Sequence, residues 1–309
     1  MSDLLVQPQH AREPRLESFS DEANPIGLDG VEFVEYATAR PQALGQVLEM
    51  MGFRPVARHR SREVTLYRQG GVNVVVNAHT PEGGEALRSH EPPALSAIAV
   101  RVRDARAAYA HVLERGAWEA PTQPQAMELN IPAIHGVGGT RIHFVDRWRE
   151  FSIYDVDFVP IPSVDAHPPA VAGIHFFGVV QYIGAFRSND WIEFYAELFG
   201  MQAIPDEQRF GIMPAGKLLR APSLTPEGAF MLQLVEPPPD AEEGGERLQR
   251  IGLGVPDVHA AVAALRKLGM EFVETQATHT ERRGALTKTY LGNVVFELVQ
   301  SAHAAPAHG

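Results

Sequence analysis

The side chains that could perform chemistry in this chain are of a few kinds. Its 309 residues include no cysteine, which excludes a thiolate metal site and a cysteine nucleophile. The Gly-x-Ser-x-Gly elbow of serine hydrolases does not occur, and Gly136–Gly139 lacks the lysine and the following helix of a phosphate-binding loop. Several histidines of the first half show no spacing typical of metal ligands: His59, His111, His135 and His143. Chemistry therefore depends on carboxylates, arginines and single histidines.

The charge balance limits the partners of the protein. There are 27 lysines and arginines against 38 aspartates and glutamates, a net charge of −11, which argues against a nucleic-acid surface or an anionic membrane surface. The N-terminal residues lack the basic start and apolar core of a secretory signal, and no uncharged apolar run of about 18 residues occurs. We therefore expect a cytoplasmic protein that binds small molecules or other proteins, with neither nucleic acid nor membrane as a partner.

An internal repeat organises the elements that must position these side chains. Three pairs of segments match at offsets of 153, 148 and 152 residues, in this order: Ile98–Tyr109 with Ile251–Val262, Met50–Phe53 with Leu198–Met201, and Phe144 with Phe296. The chain is therefore a tandem duplication.

Each half shows the same order of elements, a βαβββ unit used twice. Apolar residues at helical spacing predict helices over Leu44–Met51, Ala105–Arg115, Trp191–Leu198 and Val258–Leu268. Alternating apolar residues predict strands over Val31–Tyr36, Val72–Val76, Phe176–Val180, Phe230–Val235 and Val294–Val299. The expected organisation is a flexible N-terminal arm (1–24), a first module (25–158), a proline-rich linker (159–172), a second module (173–301) and a flexible tail (302–309).

A family resemblance rests on long segments of the first half: Asn24–Leu28, Val31–Ala37, Met51–Phe53, His59–Ser61, Leu66–Gly70, Met127–Ile134, Gly136–Gly139 and Ser152–Phe158. These segments resemble the N-terminal module of bacterial 4-hydroxyphenylpyruvate dioxygenases, and the repeated element order resembles their vicinal-oxygen-chelate superfamily. The resemblance implies an α+β fold of two tandem modules, each of paired βαβββ units that form a curled mixed sheet around a pocket. It also implies that the first module is structural and that the second carries the chemistry.

The resemblance also implies where the chemical site lies. In this family, two histidines from two strands and a glutamate from the last strand hold iron, and the open positions take a 2-oxo acid and dioxygen. Glu297 matches the glutamate, whereas Arg250, within Leu248–Leu253, stands in the position of the second histidine and Gly178 in that of the first. His175 would replace the missing histidine only if a bulge moved it three positions along its strand, which also reverses the face to which it points.

These replacements set the expectations for the site. Arginine is always protonated near neutral pH and has no lone pair to donate, and glycine offers no side-chain ligand. We therefore expect no metal and no cofactor, with Fe²⁺ required only if His175 and another residue complete the triad. Arg250 and Glu297 are expected within reach of each other. Two interpretations stay open: a structural ion pair that fills the vacated site, or an anion site in which Glu297 orients the guanidinium or acts as a base.

Further pocket residues follow from the same comparison. Arg220 stands where the family holds its substrate and would form a forked clamp for a carboxylate with Arg250. Gln233, on an inner strand face, is either a core residue or a ligand contact, and Tyr290 is preferred to its neighbour Lys288 as the side chain that faces the cavity. The segment before Glu297 is shorter than in the family and the chain ends soon afterwards, so we expect the family's covering helix to be absent and the cavity more open.

The leading hypothesis for function is a metal-free pocket that binds a small aromatic or 2-oxo carboxylate, as a sensor, a carrier or a repurposed lyase or isomerase. The resemblance alone implies an iron-dependent dioxygenase that converts 4-hydroxyphenylpyruvate, or a related 2-oxo acid, to an aromatic acetate such as homogentisate in tyrosine catabolism. A third hypothesis is a non-catalytic assembly partner of an active homologue. We expect a homo-oligomer, either a dimer or a tetramer.

Overall fold

The computed structural model describes residues 23–78, 92–122, 124, 127–149, 151–205, 216–238, 244–273 and 284–301. The predicted tail at 302–309 and nearly all of the predicted arm at 1–24 lie outside the described residues.

The described helices follow the predicted order. They are α1 (Pro41–Met50), α2 (Ala105–Glu114), the short α3 (Ile153–Asp157), α4 (Ser188–Phe199) and α5 (Val258–Lys267). The four longer helices confirm the predicted ones, with ends shifted by three residues at most.

Matching residues begin and end the helices of the two halves. Asp104 and Asp257 precede α2 and α5, and each carboxylate accepts a hydrogen bond from the backbone N–H three residues later, at 2.8 and 2.9 Å. Gly52 and Gly200 follow α1 and α4 with φ angles of 90° and 69°, a left-handed conformation that glycine adopts without a steric penalty. The duplication inferred from sequence is therefore visible in the helix ends.

Fifteen strands are described. They are β1 (Leu28–Ala37), β2 (Arg54–His59), β3 (Val64–Gln69), β4 (Val72–Asn77), β5 (Ala94–Val102), β6 (Ala133–His135), β7 (Arg141–Val145), β8 (Phe158–Pro160), β9 (His175–Tyr182), β10 (Gln202–Ala203), β11 (Lys217–Arg220), β12 (Met231–Val235), β13 (Arg247–Val255), β14 (Ala285–Leu286) and β15 (Phe296–Gln300). All five predicted strands are among them.

The strands form two mixed sheets. The first has the order β6-β7-β5-β1-β4-β3-β2-β8 and the second β10-β11-β12-β9-β13-β15-β14. In each sheet two pairs are parallel, β1/β4 and β5/β7 in the first and β9/β12 and β13/β15 in the second, while the remaining neighbours are antiparallel. The two sheets thus repeat the same arrangement, and the predicted α+β architecture of tandem modules is confirmed.

One apolar core runs through both modules. It joins the helix-facing sides of the two sheets, and the rings of Phe144 and Phe199, from different modules, stack at 6.2 Å within it. A second apolar cluster, which includes Phe33 and Val75, fills part of the opposite face of the first sheet. Functional side chains are therefore expected on the faces that point away from the shared core.

The segment between the modules is partly built into the first sheet. The linker predicted at 159–172 begins inside β8, which pairs with β2, and Gly70 donates a backbone hydrogen bond to the carbonyl of Pro168 at 2.8 Å. Within the described residues, no helix is both long enough and apolar enough to cross a membrane.

Candidate functional site

The predicted site residues lie on the face of the second sheet that points away from the shared core. Ile251 and Phe296 pack into that core. Because side chains alternate along a strand, their neighbours Arg250 and Glu297 point to the opposite face. This is the face on which the resemblance places the family's ligands.

Strand register brings the three expected positions around one point. Gly178 on β9 pairs with Gly252 on β13, and Gly252 pairs with Glu297 on β15. Arg250 lies two residues before Gly252 and pairs with Val180. Neighbouring strands are about 4.8 Å apart, so these positions are close enough for side chains to meet.

The expected contact between Arg250 and Glu297 is present. Arg250 Nε donates a hydrogen bond to Glu297 Oε2 at 2.8 Å, and each side chain is about 5% exposed. Arg250 Nη2 is shielded from solvent and has no hydrogen-bond partner among the described residues. Taking two charges out of water is costly, and a buried ion pair of this kind is weak evidence for a purely stabilising role.

Gly178 leaves no room for a side chain. A Cβ atom at this position would overlap the carbonyl oxygen of Met231 on the adjacent strand β12. The partner glycine across the ladder, Gly252, has ordinary space, since a Cβ atom there would lie 3.5 Å from its nearest neighbour. The backbone of β12 therefore occupies the space that a side chain would need at the position of the family's first histidine.

His175 lies on β9 beyond the position of Gly178, and it pairs with Gly254 rather than with Gly252. The pairing of β9 with β13 contains a bulge between Gly252 and Leu253, a feature that the sequence does not predict. As a result, His175 lies opposite Gly254, two residues beyond Gly252. The bulge shifts the register by one residue, not three, and it keeps His175 on the same face as Arg250. His175 Nδ1 contacts the carbonyl of Gly173 and Nε2 contacts Ser301 Oγ, both at 3.1 Å.

The other predicted pocket residues are dispersed. Arg220 is exposed on β11, three strands from Arg250, and lines a cavity of about 270 Å³ with His175. Gln233 on β12 pairs with Val180 and shares the face of Arg250. The predicted clamp of two arginines is not assembled by any contact among the described residues.

Tyr290 does not face this cavity. Its hydroxyl accepts a hydrogen bond from the backbone N–H of Glu271 at 2.8 Å, and its ring packs against the shared core. The expected alternation fails here because a turn at Leu291 and Gly292, with φ angles of 50° and 90°, interrupts the strand. Thr287, which is buried beside β15, accepts a hydrogen bond from the backbone N–H of Phe296 at 3.0 Å.

The residues at the three family positions do not fit a ferrous ion. Arg250 cannot donate a lone pair and already binds the carboxylate that would be the third ligand. Gly178 cannot be a side-chain ligand and its surroundings exclude one. Within the described ranges, no group of three or more histidine, aspartate or glutamate side chains has metal-site geometry.

The first module carries a corresponding face with different residues. Its register pairs Phe33 with Ala99 and Ala99 with His143, as Gly178, Gly252 and Glu297 are paired in the second module. His143 and Glu297 are 154 residues apart, so the offset between these last strands is two residues larger than the predicted 152. Ala97, which corresponds to Arg250, is flanked by Glu35 and Arg141, which sequence reasoning did not select.

Burial lowers the pKa of His143 to about 4. A histidine in an unfolded chain has a pKa of about 6.5, so below that pH the unfolded chain binds a proton that the folded chain excludes, and stability falls as the pH falls. We expect the wild type to lose about 2 kcal/mol more stability than His143→Gln between neutral pH and about pH 4.5. Urea unfolding at both pH values measures this, and parallel losses in the two proteins would contradict it.

Both modules match known families. Residues 22–159 match the family described as "Hydroxyphenylpyruvate dioxygenase, HPPD, N-terminal", and residues 183–292 match the "Glyoxalase/Bleomycin resistance protein/Dioxygenase superfamily". Hemolysin VllY of Vibrio vulnificus (strain CMCP6) is 35% identical over 284 residues, which cover 85% of this chain and 76% of the relative. A 4-hydroxyphenylpyruvate dioxygenase of Pseudomonas sp. (strain P.J. 874) is 34% identical over 265 residues, which cover 81% of this chain and 72% of the relative.

A solved structure supports the fold. A xylose isomerase-like TIM barrel/4-hydroxyphenylpyruvate dioxygenase fusion protein superposes with a TM-score of 0.69 at 22% identity, over 92% of this chain and 50% of that chain, so this chain spans about half of the fusion protein. The sequence relatives extend across both modules, and the segments that suggested the resemblance lie inside the matched region. The chain belongs to the 4-hydroxyphenylpyruvate dioxygenase family.

Proposed function

We propose that the second module binds a small aromatic or 2-oxo carboxylate at Arg250 and works without iron. The observation that carries this proposal is the buried guanidinium of Arg250. Its Nε donates a hydrogen bond to Glu297, whereas its Nη2 has no hydrogen-bond partner among the described residues. A buried donor without a partner costs about 1–3 kcal/mol, and more when it is charged. A ligand carboxylate beside Nη2 would remove that cost, and Glu297 would hold the guanidinium in place.

Iron content tests the metal-free part of the proposal. Arg250 and Gly178 supply no lone pair, which leaves Glu297 as the single carboxylate of the expected triad. We expect iron near background after anaerobic reconstitution with ferrous ion and removal of unbound metal, measured by elemental mass spectrometry. A Glu297→Ala variant is the control. Near-stoichiometric iron in the wild type that disappears in the control would overturn the proposal.

Ligand binding tests the role of Arg250. We expect phenylpyruvate and 4-hydroxyphenylpyruvate to bind in calorimetric titrations, and Arg250→Gln to weaken binding at least about tenfold, since a charge-assisted hydrogen bond contributes about 1.5–3 kcal/mol. Arg247→Gln, on the same strand, makes the same charge change and should bind like the wild type. If Arg250→Gln is unstable, Arg250→Gln/Glu297→Gln removes both charges together. Undiminished binding in a folded variant would reject the assignment.

A second candidate function is favoured by the names of the relatives. Several are 4-hydroxyphenylpyruvate dioxygenases, so the alternative is an iron-dependent dioxygenase that acts on 4-hydroxyphenylpyruvate in tyrosine catabolism. It requires ligands other than Arg250 and Gly178. Oxygen uptake with 4-hydroxyphenylpyruvate and added ferrous ion separates the two: turnover of about 1 s⁻¹ or faster supports the dioxygenase, and uptake at the rate of a blank supports the metal-free site.

A further inference from the structure

The first module contains a cavity that the family resemblance leaves without a role. Its volume is about 190 Å³, and it lies on the face of the first sheet that points away from the shared core. It is smaller than the pockets of about 300–1,000 Å³ that hold drug-sized ligands. Its occupant would therefore be a molecule of metabolite size.

This cavity occupies the same topological place as the candidate site of the second module. The positions of Gly178 and Glu297 correspond to Phe33 and His143, both of which line the cavity. The position of Arg250 corresponds to Ala97, a residue with only a methyl side chain. The first module has thus kept the pocket position while exchanging every group that defines the second site.

Two opposite charges flank that alanine. Glu35 on β1 pairs with Ala97 on β5, which pairs with Arg141 on β7, so the three lie in one row. Two strand spacings separate Glu35 from Arg141, about 10 Å between backbones. Both side chains line the cavity, and neither makes an ion pair within 4 Å among the described residues. Glu35 Oε1 accepts a hydrogen bond from Ser96 Oγ at 2.8 Å, which fixes the carboxylate.

The remaining ionisable groups of the cavity are held by other partners or have pKa values shifted by burial. Arg62 is held by Glu128 through two hydrogen bonds, at 3.0 and 2.5 Å. Burial lowers the pKa of His59 and of His143, so both rings are neutral near pH 7. Burial raises the pKa of Asp157, whose Oδ1 accepts a hydrogen bond from the backbone N–H of Leu129 at 3.1 Å. Glu35 and Arg141 are the two complementary charges that lie in one row across β1, β5 and β7.

Apolar and aromatic side chains form the rest of the lining. Phe33 lies 6.1 Å from the ring of His143, and Phe158 meets His59 edge to face at 5.1 Å. Val75, on β4, adds an aliphatic side chain to the lining. Such walls suit a flat ring, which packs edge to face with other rings.

We propose that this cavity binds a free aromatic α-amino acid, with its carboxylate on Arg141, its ammonium on Glu35 and its ring among Phe33, Val75 and Phe158. A simple anion would pair with Arg141 but would be repelled by the carboxylate of Glu35. A simple amine would pair with Glu35 but would be repelled by the guanidinium of Arg141. A zwitterion satisfies both charges at once. The site is independent of the carboxylate site proposed at Arg250.

Calorimetric titration of the full chain with four probes tests this site. L-phenylalanine is the reference, 3-phenylpropanoate lacks the ammonium, 2-phenylethylamine lacks the carboxylate and L-leucine lacks the ring. We expect L-phenylalanine to bind, both truncated probes to bind at least about tenfold more weakly, and L-leucine to bind more weakly than L-phenylalanine. These comparisons use the wild type and do not depend on the folding of a variant.

Variants then locate the site. Arg141→Gln and Glu35→Gln should each weaken L-phenylalanine binding at least about tenfold, while Arg106→Gln, an exposed arginine on α2, should not. Binding that survives Arg141→Gln and Glu35→Gln would overturn the assignment, as would 3-phenylpropanoate binding as tightly as L-phenylalanine. Absence of binding up to about 10 mM L-phenylalanine would overturn the proposal as a whole.

Discussion

Replacing Arg250 with leucine is expected to lower the free energy of unfolding by about 3–5 kcal/mol, because it removes the guanidinium that compensates the buried carboxylate of Glu297. Glu297→Leu should cost a similar amount, since it leaves the cation of Arg250 buried in turn. Urea unfolding followed by circular dichroism measures both changes. The 2.8 Å bond between Nε and Oε2 is the interaction under test.

The double variant distinguishes the stability contribution of the ion pair from the cost of leaving one charge buried alone. When both charges are replaced by apolar groups, no ion remains buried, so Arg250→Leu/Glu297→Leu should be much closer to the wild type than either single variant. Lys288→Leu breaks an exposed ion pair with Glu271 and should hardly change stability. A double variant destabilised by the sum of the two single losses would show that the charges act independently and would contradict the pairing.

This comparison also bears on the choice between a structural plug and an anion site. Apolar replacement of a buried ion pair is often neutral or stabilising, so stability alone is a weak reason for a protein to keep one. If the double variant is stable but no longer binds phenylpyruvate, the pair is retained for binding, as the proposed function requires. A stable double variant with unchanged binding would reject the binding role of the pair.

Much of the fold could be predicted from the sequence because its signals are local. Alternating apolar residues define β1 and β9, and glycines that adopt positive φ angles, Gly52 and Gly200, end the helices of both halves. The contact between Arg250 and Glu297 was also predictable, since both positions follow from matched strands. The α+β architecture of two modules follows from these elements and from the repeat.

The features that were missed depend on register and on irregular backbone. The bulge that places His175 opposite Gly254 involves backbone pairing between β9 and β13, to which no residue type is specific. The offset of the last strands differs from the predicted one because Phe144 and Phe296 match in sequence, whereas the strand pairings match Phe296 with Ile142. Tyr290 departs from the expected alternation because a turn at Leu291 and Gly292 interrupts the strand.

The charged row of the first module was missed for a further reason. Glu35, Ala97 and Arg141 come from three strands, and their proximity depends on the pairings of β1 with β5 and of β5 with β7. The family resemblance assigns this module a structural role and so predicts no charged site in it.

Substitution of Gly178 by alanine is expected to destabilise the protein by about 2–3 kcal/mol, because the new Cβ would overlap the backbone carbonyl of Met231 and force β9 and β12 apart. Gly252→Ala is the matched control, in the residue directly paired with Gly178 and with ordinary space for a Cβ. A glycine replaced by alanine without strain stabilises by about 0.4–1 kcal/mol, so the two variants should differ in sign. Urea midpoints for both variants test this, and equal changes would contradict it.

The same overlap decides whether the iron site of the family can be rebuilt. Arg250→His restores a nitrogen ligand beside Glu297, but a histidine at position 178 also needs the space that Met231 occupies. We therefore expect Gly178→His/Arg250→His to be less stable than Arg250→His and to bind no more iron than the wild type, because a site whose strands must move apart is not preorganised for a metal. Stoichiometric iron in a folded double variant would mean that β12 yields readily, and the closed backbone would then be a consequence of the missing histidine rather than a barrier to it.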